Sequence, residues 1–172
     1  YGSSKLFSES VIKDTAFANE TFKFVILRYF NVAGADVDGK IGQSTLNATH
    51  LIKVAAETAL NKRAKMSIFG DDYDTADGTC IRDYIHVCDL ADAHLKALKY
   101  LDTNPSDIFN CGYGYGYSVK EVIDTMKKVS NTDFKVEIVP RRAGDPSTLI
   151  SNNTKIKTKM NWTPKYNDLE LI

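Results

Sequence analysis

Phe22-Lys23-Phe24-Val25-Ile26-Leu27-Arg28-Tyr29 is the run that most narrows the fold class of this 172-residue chain. It is short, apolar and rich in β-branched and aromatic residues, which is typical of a strand buried in a parallel sheet. Before it, from Tyr1 to about Asn19, apolar residues recur at helical spacing and predict an amphipathic helix. A helix that leads into a buried strand is the second half of a βαβ unit, so the sequence predicts an α/β protein.

Tyr1 and Lys5 begin that predicted helix, and their spacing places both side chains on one face, one turn apart. An unperturbed phenol ionises near pH ~10, and a fixed ammonium nearby favours the phenolate. Ionisation near neutral pH requires about 4 kcal/mol of extra stabilisation of the anion. One lysine seldom supplies that amount, so a bound cationic cofactor is expected to contribute. The same spacing is common in helices without chemistry, and the pair by itself is a weak signal.

The position of Tyr1 at the start of the chain suggests a fragment. Chain ends fray, whereas a catalytic tyrosine needs neighbours that orient it. Neither an initiator methionine nor a signal segment precedes Tyr1. At the other end, the segment 168–172 has the composition of a helix start but spans only one turn. We therefore expect that a preceding part of the protein carries the rest of the site.

Charge and composition argue against several classes of function. Lysine plus arginine number 22 and aspartate plus glutamate also number 22, and this zero net charge argues against a nucleic-acid or membrane-surface binder. No apolar run is long enough to span a bilayer. The three histidines form no metal-binding pattern, so no metal site is expected. The cysteines lack C-x-x-C spacing and predict free thiols in a reducing, cytoplasmic compartment: Cys80, Cys88 and Cys111.

Further helices and strands alternate along the rest of the chain. Helices are predicted over 49–62 (capped by Asn47 or Thr49), 90–101 (capped by Asp89), 119–130 (capped by Ser118, with Glu121 completing a capping box) and 152–160. Strands are predicted over 66–69, 80–87, 107–111 and 134–139. Asn31–Asp36 follows the first strand and is predicted to be a loop at the sheet edge where α/β proteins bind ligands.

Three arginines are ambiguous from the residues alone. Arg82 lies in a largely apolar stretch, where it either pairs with the neighbouring Asp83, which its position favours, or contacts an anionic ligand. Arg141 and Arg142 precede Asp145 in a polar turn. This combination suits an anionic ligand with hydroxyl groups, and it equally suits a solvated cluster of charges.

The run Gly112-Tyr113-Gly114-Tyr115-Gly116 lies between a predicted strand and a predicted helix. It resembles a phosphate-binding loop, but the dinucleotide fingerprint requires G-x-G-x-x-G with an acidic residue about twenty positions later. Because the glycine spacing differs, a tight turn is the favoured interpretation.

The order of the motifs is more specific than any one of them. It runs from Tyr1-x-x-x-Lys5 through Leu27-Arg28-Tyr29-Phe30-Asn31-Val32-Ala33-Gly34-Ala35, IFGDDYDTADGTCIRDYIHVCDLA (68–91) and Phe109-Asn110-Cys111-Gly112 to Arg141-Arg142-Ala143-Gly144-Asp145-Pro146. Over essentially the whole chain, this order closely resembles the UDP-glucose 4-epimerase family of the extended short-chain dehydrogenases/reductases. The chain resembles the C-terminal half of those enzymes, beginning at the catalytic tyrosine.

The resemblance implies a domain arrangement and partners. Residues 1–30 would end the Rossmann core, and residues 31–172 would form mainly the smaller substrate-binding domain, with segments that return to the core. The N-terminal NAD-binding half, with its glycine-rich loop and the serine or threonine that completes the catalytic triad, would be absent. The full-length protein would be a homodimer that uses a UDP-hexose as substrate and NAD as cofactor, in the cytoplasm.

The resemblance also implies roles for individual residues. The family interconverts UDP-galactose and UDP-glucose through a 4-keto sugar, with Tyr1 as the base and Lys5 as its partner that also holds the nicotinamide ribose. Phe30 would lie beside the nicotinamide. Asn31 would also contact the substrate. The residues with an implied subsite are His50 and Leu51 (diphosphate and uridine), Ser67 and Phe69 (uracil), Arg82 and Arg142 (diphosphate), and Asp145 (uridine ribose). Leu149 falls where a bulkier tyrosine restricts the sugar pocket, so UDP-N-acetylhexosamines are possible substrates.

Two alternatives stay open. Another nucleotide-sugar epimerase or a dehydratase of the same superfamily is one, although dehydratases carry an N-x-Y-G-P-type segment where this chain has Asn31-Val32-Ala33-Gly34-Ala35. A non-catalytic fragment that binds nucleotide sugars is the other. Because the glycine-rich loop of the family is absent from these residues, we expect that the 172-residue chain by itself neither holds NAD nor turns over substrate.

Overall fold

Helices and strands alternate along the computed structural model, which describes all residues from 1 to 172. The helices are α1 (Gly2–Ala18), α2 (Leu51–Ala59), α3 (Val87–Thr103), α4 (Val119–Ser130) and α5 (Thr154–Met160). The strands are β1 (Val25–Tyr29), β2 (Asn31–Ala33), β3 (Met66–Phe69), β4 (Ile81–Arg82), β5 (Tyr84–His86), β6 (Asp107–Cys111), β7 (Tyr117–Ser118), β8 (Val136–Val139) and β9 (Thr148–Leu149). None of the helices combines the length and the apolar character that crossing a bilayer requires.

The longer strands pair in parallel, which confirms the predicted α/β class. β1 lies beside β6, with Leu27 opposite Phe109, and β3 lies beside β8. β2 pairs with β5 in the same sense. The two-residue strand β4 lies between β7, which is antiparallel to it, and β9, which is parallel. Parallel neighbours need crossover connections, and the helices supply them.

The larger hydrophobic core lies around β6, against which α3 and α5 pack. Phe109 is fully buried and meets the ring of Tyr100 edge to face, with 5.3 Å between ring centroids. Trp162 is buried beside them and donates its Nε1–H to the backbone oxygen of Asp89 over 3.3 Å. The remaining buried members come from α3, α5, β5, the end of β6 and the segment after it: Ile85, Leu90, Ala93, Ala97, Cys111, Tyr113, Ile156 and Met160.

A second, smaller core lies between the β3–β8 pair and helices α2 and α4, and its buried members are Ala55, Met66, Ile68, Ile123 and Phe134. The predicted capping box of α4 is present. The Ser118 hydroxyl accepts from the backbone N–H of Glu121 at 3.0 Å, and the Glu121 carboxylate accepts from the N–H of Ser118 at 2.6 Å. The division of the chain at residue 30 into two domains stays a prediction.

The first helix and strand are more exposed than their sequences suggest. β1 begins at Val25, three residues later than predicted, and Arg28 and Tyr29 at its end are exposed rather than buried. It has one neighbouring strand, β6, so its other edge stays open. α1 buries none of its side chains. An ion pair between Arg28 and Glu9, at 2.5 Å, links the helix to the strand.

Two segments differ from their predicted secondary structure because of long-range hydrogen bonds. Asn31–Ala33, predicted as a loop, forms β2 because it pairs with β5, far away in sequence. The strand predicted over 80–87 divides into β4 and β5, since Asp83 between them turns its buried side chain toward the backbone of residues 113, 114 and 151.

The predicted caps of two helices are wrong. α2 begins after His50, whereas Asn47 lies in the preceding turn and Thr49 in the segment that follows this turn. α3 begins after His86, whose Nδ1 accepts from the N–H of Cys88 at 3.1 Å. Asp89 lies inside the first turn of α3, and its carboxylate instead accepts from the N–H groups of residues 165 and 166. Two other elements begin two residues late, β8 at Val136 and α5 at Thr154.

Candidate active site

A cavity of about 420 Å³ opens between the start of α2, strand β3 and the short strand β4. Its size is within the range of small-molecule sites. The lining includes eight of the nine residues predicted to bind substrate: Asn31, His50, Leu51, Ser67, Phe69, Arg82, Arg142 and Asp145. They come from five separate parts of the chain (31, 50–51, 67–69, 82 and 142–145), so folding rather than sequence proximity brings them together.

Arg82 pairs across the cavity and not with its neighbour in sequence. Its guanidinium lies 3.6 Å from the carboxylate of Asp145, and it also donates to the backbone oxygen of Ile81 at 2.8 Å. The favoured local pairing with Asp83 is therefore wrong, because the Asp83 carboxylate binds backbone N–H groups instead. Arg82 has most of its side chain buried, so its charge is held in a fixed place within the cavity.

The two adjacent arginines have different surroundings. The guanidinium carbon of Arg142 lies 3.6 Å from the centroid of the Phe69 ring, and both side chains line the cavity. Arg141 lies outside the lining, where it stacks over Tyr73 at 4.0 Å and pairs with Asp72 at 2.5 Å. Of the two, only Arg142 is therefore placed to meet a ligand in this cavity.

The wall formed by α2 is held by polar contacts. His50 Nδ1 lies 3.1 Å from the side-chain amide of Gln43, and the Lys53 ammonium donates to the backbone oxygen of Gln43 at 2.8 Å. Asn31 and His50 also line an adjoining cavity of about 260 Å³, so the open space continues beyond the first cavity.

On the wall formed by β3, the hydroxyl of Ser67 is held by the carboxylate of Glu137, which lies on the neighbouring strand β8 and does not line the cavity. Ser67 donates to Glu137 at 3.0 Å, and Lys65 pairs with the same carboxylate at 2.6 Å. The hydrogen bonds from Lys65 and then Ser67 lower the pKa of Glu137 below its ordinary value. On the opposite side, burial raises the pKa of Tyr84 far above its usual range, although the nearby Arg82 opposes this shift. Tyr84 therefore presents a neutral hydroxyl to the cavity.

Leu149 is the predicted substrate residue that does not line this cavity. It lies on β9, in register with Arg82 on β4, and its backbone oxygen accepts from the N–H of Asp83 at 3.2 Å. It is exposed. The backbone pairing fixes its position beside the cavity.

Tyr1 and Lys5 share one face of α1, as predicted, with the Lys5 ammonium 5.4 Å from the centroid of the Tyr1 ring. Tyr1 is 97% exposed. Neither residue lines the cavity, and neither does Phe30, which is half-buried and directly precedes Asn31. The structure thus brings together the predicted substrate residues and leaves the predicted catalytic and cofactor residues on an open face.

The tight turn favoured for the glycine-tyrosine run takes the form of two bends, at Gly112 and Gly114, that no backbone hydrogen bond closes. The N–H groups of Tyr113 and Gly114 donate to the carboxylate of Asp83 at 2.9 and 3.1 Å. A Cβ atom at Gly112 would lie 2.6 Å from an Asp83 oxygen, and one at Gly116 would lie 2.7 Å from Ile81. Because the amides are engaged and the glycines face packed atoms, this loop does not offer a phosphate cradle.

Ten further residues line the cavity, and the four of them with ionisable side chains were not predicted as site residues: Arg63, Lys65, Cys80 and Tyr84. Arg63 donates to the backbone oxygen of Ala48 at 2.9 Å and to Glu57 at 2.6 Å, which ties the turn before His50 to α2. The basic run 62–65 directly before β3 was the available signal for Arg63 and Lys65. Because lysines and arginines are frequent on protein surfaces, a basic run in the sequence does not by itself indicate a binding site.

The comparisons with known sequences and with solved structures agree with one another. Residues 1–112 match the family model described as the NAD dependent epimerase/dehydratase family. A UDP-glucose 4-epimerase from Azospirillum brasilense is 50% identical over the whole chain, which spans 49% of that relative. The solved structure of the UDP-Glc/GlcNAc 4-epimerase from Campylobacter jejuni is 64% identical, with a TM-score of 0.82 over 99% of this chain and 52% of that one.

A further solved UDP-glucose 4-epimerase superposes with a TM-score of 0.96 at 46% identity, again over the whole chain and 52% of that protein. The chain therefore spans about half the length of the relatives it matches. The family match covers well over half of the residues, and the fold agrees throughout. On these grounds the chain belongs to the NAD dependent epimerase/dehydratase family.

Proposed function

We propose that the intact protein carrying residues 1–172 interconverts UDP-galactose and UDP-glucose with NAD as cofactor. The observation that supports this most directly is the single cavity lined by Asn31, His50, Leu51, Ser67, Phe69, Arg82, Arg142 and Asp145. The relatives whose names include UDP-glucose 4-epimerase point in the same direction. Residues of this chain would supply the substrate site and the proton-transfer group.

The cavity suits a nucleoside diphosphate. Arg82 and Arg142 carry fixed positive charges on two different segments, and guanidinium groups match the geometry of phosphate oxygens. Asp145 is the carboxylate that would accept from a ribose hydroxyl, and its present contact with Arg82 keeps it in the cavity. Phe69 and Ser67 offer a ring face and a hydroxyl, which suit a planar uracil.

The chemistry would depend on the Tyr1–Lys5 face of α1. The phenolate of Tyr1 would take the proton from the sugar 4-hydroxyl and later return it, which is general acid–base catalysis. Lys5, one turn along the same face, would favour the phenolate. Because Tyr1 is almost fully exposed, this face has room for a sugar and a cofactor beside it.

Tyr1, Lys5 and Phe30 fit the nicotinamide end of NAD, and the chain offers no matching site for the pyrophosphate. A phenol and an ammonium on one open face are groups that bind ribose hydroxyls, and Phe30, directly after β1, offers an apolar side chain. The glycine-tyrosine loop does not suit the pyrophosphate, since its amides bind Asp83. When bound, NAD would supply reversible hydride transfer at the sugar carbon.

Four finer statements belong to the same proposal. Residues 1–172 by themselves are not expected to turn over UDP-galactose, because no side chain of α1 is buried and nothing among these residues orients Tyr1. Turnover by a 172-residue chain of verified mass would overturn that statement. The homodimer and the cytoplasmic location also stay predictions, as does the expectation that neither nucleic acid nor membrane is a partner.

A second substrate class is favoured by Leu149. A leucine is smaller than the tyrosine that restricts the sugar pocket, and β9 holds Leu149 in register beside Arg82. The similar Campylobacter jejuni protein is named as a UDP-Glc/GlcNAc 4-epimerase. We propose that UDP-N-acetylglucosamine is also a substrate, and Leu149→Tyr should then abolish its turnover while that of UDP-glucose persists.

The experiment that tests the proposed function is an epimerase assay on the intact protein with UDP-galactose. Wild-type protein should produce UDP-glucose, and Tyr1→Phe should lower kcat by at least about 100-fold, since general acid–base catalysis contributes that much or more. Tyr117→Phe, which removes a hydroxyl outside the cavity, is the matched control and should retain activity. A dehydrated sugar as product would favour the dehydratase alternative, and UDP binding without turnover would favour the non-catalytic one.

A further inference from the structure

Asp83 lies between β4 and β5, and its side chain is completely buried. Its carboxylate accepts three backbone N–H groups, from Tyr113 at 2.9 Å, Gly114 at 3.1 Å and Ser151 at 3.2 Å. No lysine or arginine pairs with it. A buried carboxylate is costly unless its oxygens are hydrogen-bonded, so these three donors from two distant loops are held tightly around it.

The backbone of Asp83 contacts two of the predicted substrate residues. Its carbonyl oxygen accepts from the backbone N–H of Asn31 at 3.1 Å and from the Asn31 side-chain amide at 3.2 Å. Its own N–H donates to the oxygen of Leu149 at 3.2 Å. Arg82 precedes it and Tyr84 follows it, and both line the cavity. One residue is thus bonded, directly or through the chain, to β2, β4, β5 and β9.

The space around the carboxylate leaves little freedom. A Cβ atom at Gly112 would lie 2.6 Å from Oδ2 of Asp83 and 2.6 Å from Oγ of Ser151. The Ser151 hydroxyl is itself buried without a hydrogen-bond partner. Only glycine at position 112 therefore leaves room for the carboxylate and the Ser151 hydroxyl in their observed places.

We propose that Asp83 is a positioning residue for UDP-sugar binding, which fixes Arg82 for the diphosphate and Leu149 for the sugar. The proposal rests on the proposed function and deepens it. Asp83 does not line the cavity, so it acts through its neighbours. Its replacement should weaken binding through Arg82 while the Tyr1–Lys5 face of α1, which makes no hydrogen bond to it, keeps its chemistry.

The variant Asp83→Asn of the intact protein tests the positioning role. The amide keeps the size of the side chain but turns one acceptor into a donor that faces backbone N–H groups. The Kd for UDP and the KM for UDP-galactose should both rise about tenfold, the loss of one charge-assisted contact, while kcat stays within about twofold. In a double-mutant cycle, Asp83→Asn should add little loss of UDP affinity on an Arg82→Ala background, because both changes remove the same contact.

Ile156→Val is the matched control for stability. Ile156 is fully buried in the larger core, away from the cavity, so the variant should lower Tm without changing the Kd for UDP. If Asp83→Asn does not fold, Gly112→Ala takes its place, because the added Cβ displaces the carboxylate while every hydrogen-bonding group is kept.

The outcomes distinguish the positioning role of Asp83 from the proposed function of the protein. A folded Asp83→Asn or Gly112→Ala protein that binds UDP as wild type does would overturn the positioning role and leave the proposed function standing. Additive losses in the cycle with Arg82→Ala would overturn it as well, since they would mean that Asp83 does not act through Arg82. Wild-type protein that neither binds UDP nor epimerises UDP-galactose would overturn the proposed function, and the positioning role with it.

Discussion

At the scale of single residues, Gly34 stands at the end of β2 with a φ of +79°, a conformation that side chains rarely adopt. A Cβ atom there would lie 2.5 Å from Nε2 of the buried His86. Gly34→Ala therefore adds a steric clash to backbone strain, and the free energy of unfolding should fall by about 2–4 kcal/mol. Urea denaturation of the intact protein measures this loss.

The control for that variant is Gly39→Ala. Gly39 has a φ of +70°, but nothing lies within 4 Å of its Cβ position. Gly39→Ala therefore measures the backbone strain without the clash, and the free energy of unfolding should fall by about 1 kcal/mol. Equal losses for the two variants would contradict the importance of the contact with His86.

His86 makes stability depend on pH. Burial lowers the pKa of His86 below its ordinary value of 6.5, while Asp89 partly opposes this. The unfolded chain then binds a proton at a higher pH than the folded protein does, so His86 favours the folded state above about pH 6.5 and this contribution is lost as the pH falls through the lowered pKa. The free energy of unfolding should accordingly decrease between neutral and mildly acidic pH.

His86→Asn isolates this effect. Asparagine keeps an acceptor for the N–H of Cys88 at the start of α3 but removes the titrating ring and its contact with Tyr166. The variant should be less stable at every pH, with a flatter pH dependence over the window described above. An unchanged slope would mean that other groups cause the dependence.

The side chains whose partners would be ligands mostly line one cavity, and their binding roles stay predictions. Local spacing failed for side chains whose partners are remote protein atoms. Arg142 and Asp145 line the cavity as the family pattern implies. The local pairing of Arg82 with Asp83 was wrong, because Asp83 meets amides about 30 and 68 residues away, a relation that no local spacing encodes. For the same reason Arg63 and Tyr84 were not selected.

At the scale of elements, α4 shows the contribution of a cap. The Ser118 hydroxyl accepts from the N–H of Glu121 and also donates to Asp77. Ser118→Ala should lower the free energy of unfolding by about 1–2 kcal/mol, as the loss of a helix cap does. Ser8→Ala on the exposed α1 removes a hydroxyl that bonds only the preceding turn and should change stability by less than about 0.5 kcal/mol. Similar losses from both variants would contradict the capping role.

Elements with strong local signals were predicted well. β3, β6 and the capping box of α4 agree with the sequence analysis, since a short apolar run or a cap is written in adjacent residues. β2 was missed because its three residues become a strand only through pairing with β5. The exposure of β1 and α1 was missed as well, since an apolar run indicates what a side chain prefers but not whether an element covers it.

At the scale of the whole molecule, the cavity depends on contacts between distant parts of the chain. Strand β3 supplies Ser67 and Phe69, the start of α2 supplies His50 and Leu51, and β4 supplies Arg82. The order of motifs along the sequence predicted which residues converge, through the family resemblance. Their distances, the exclusion of Arg141 and the place of Leu149 outside the lining required the folded structure.

The measurement that tests the cavity most directly is a calorimetric titration of UDP into the intact protein and two variants, Arg142→Ala and Arg141→Ala. The two arginines are adjacent in sequence, but only Arg142 lines the cavity. Arg142→Ala should weaken UDP binding roughly 10- to 100-fold, as expected for a lost charge-assisted contact, and Arg141→Ala should leave it near the wild-type value. Equal effects of the two substitutions, or an Arg142→Ala protein that binds UDP as tightly as wild type, would contradict the assignment of this cavity as the nucleotide-sugar site.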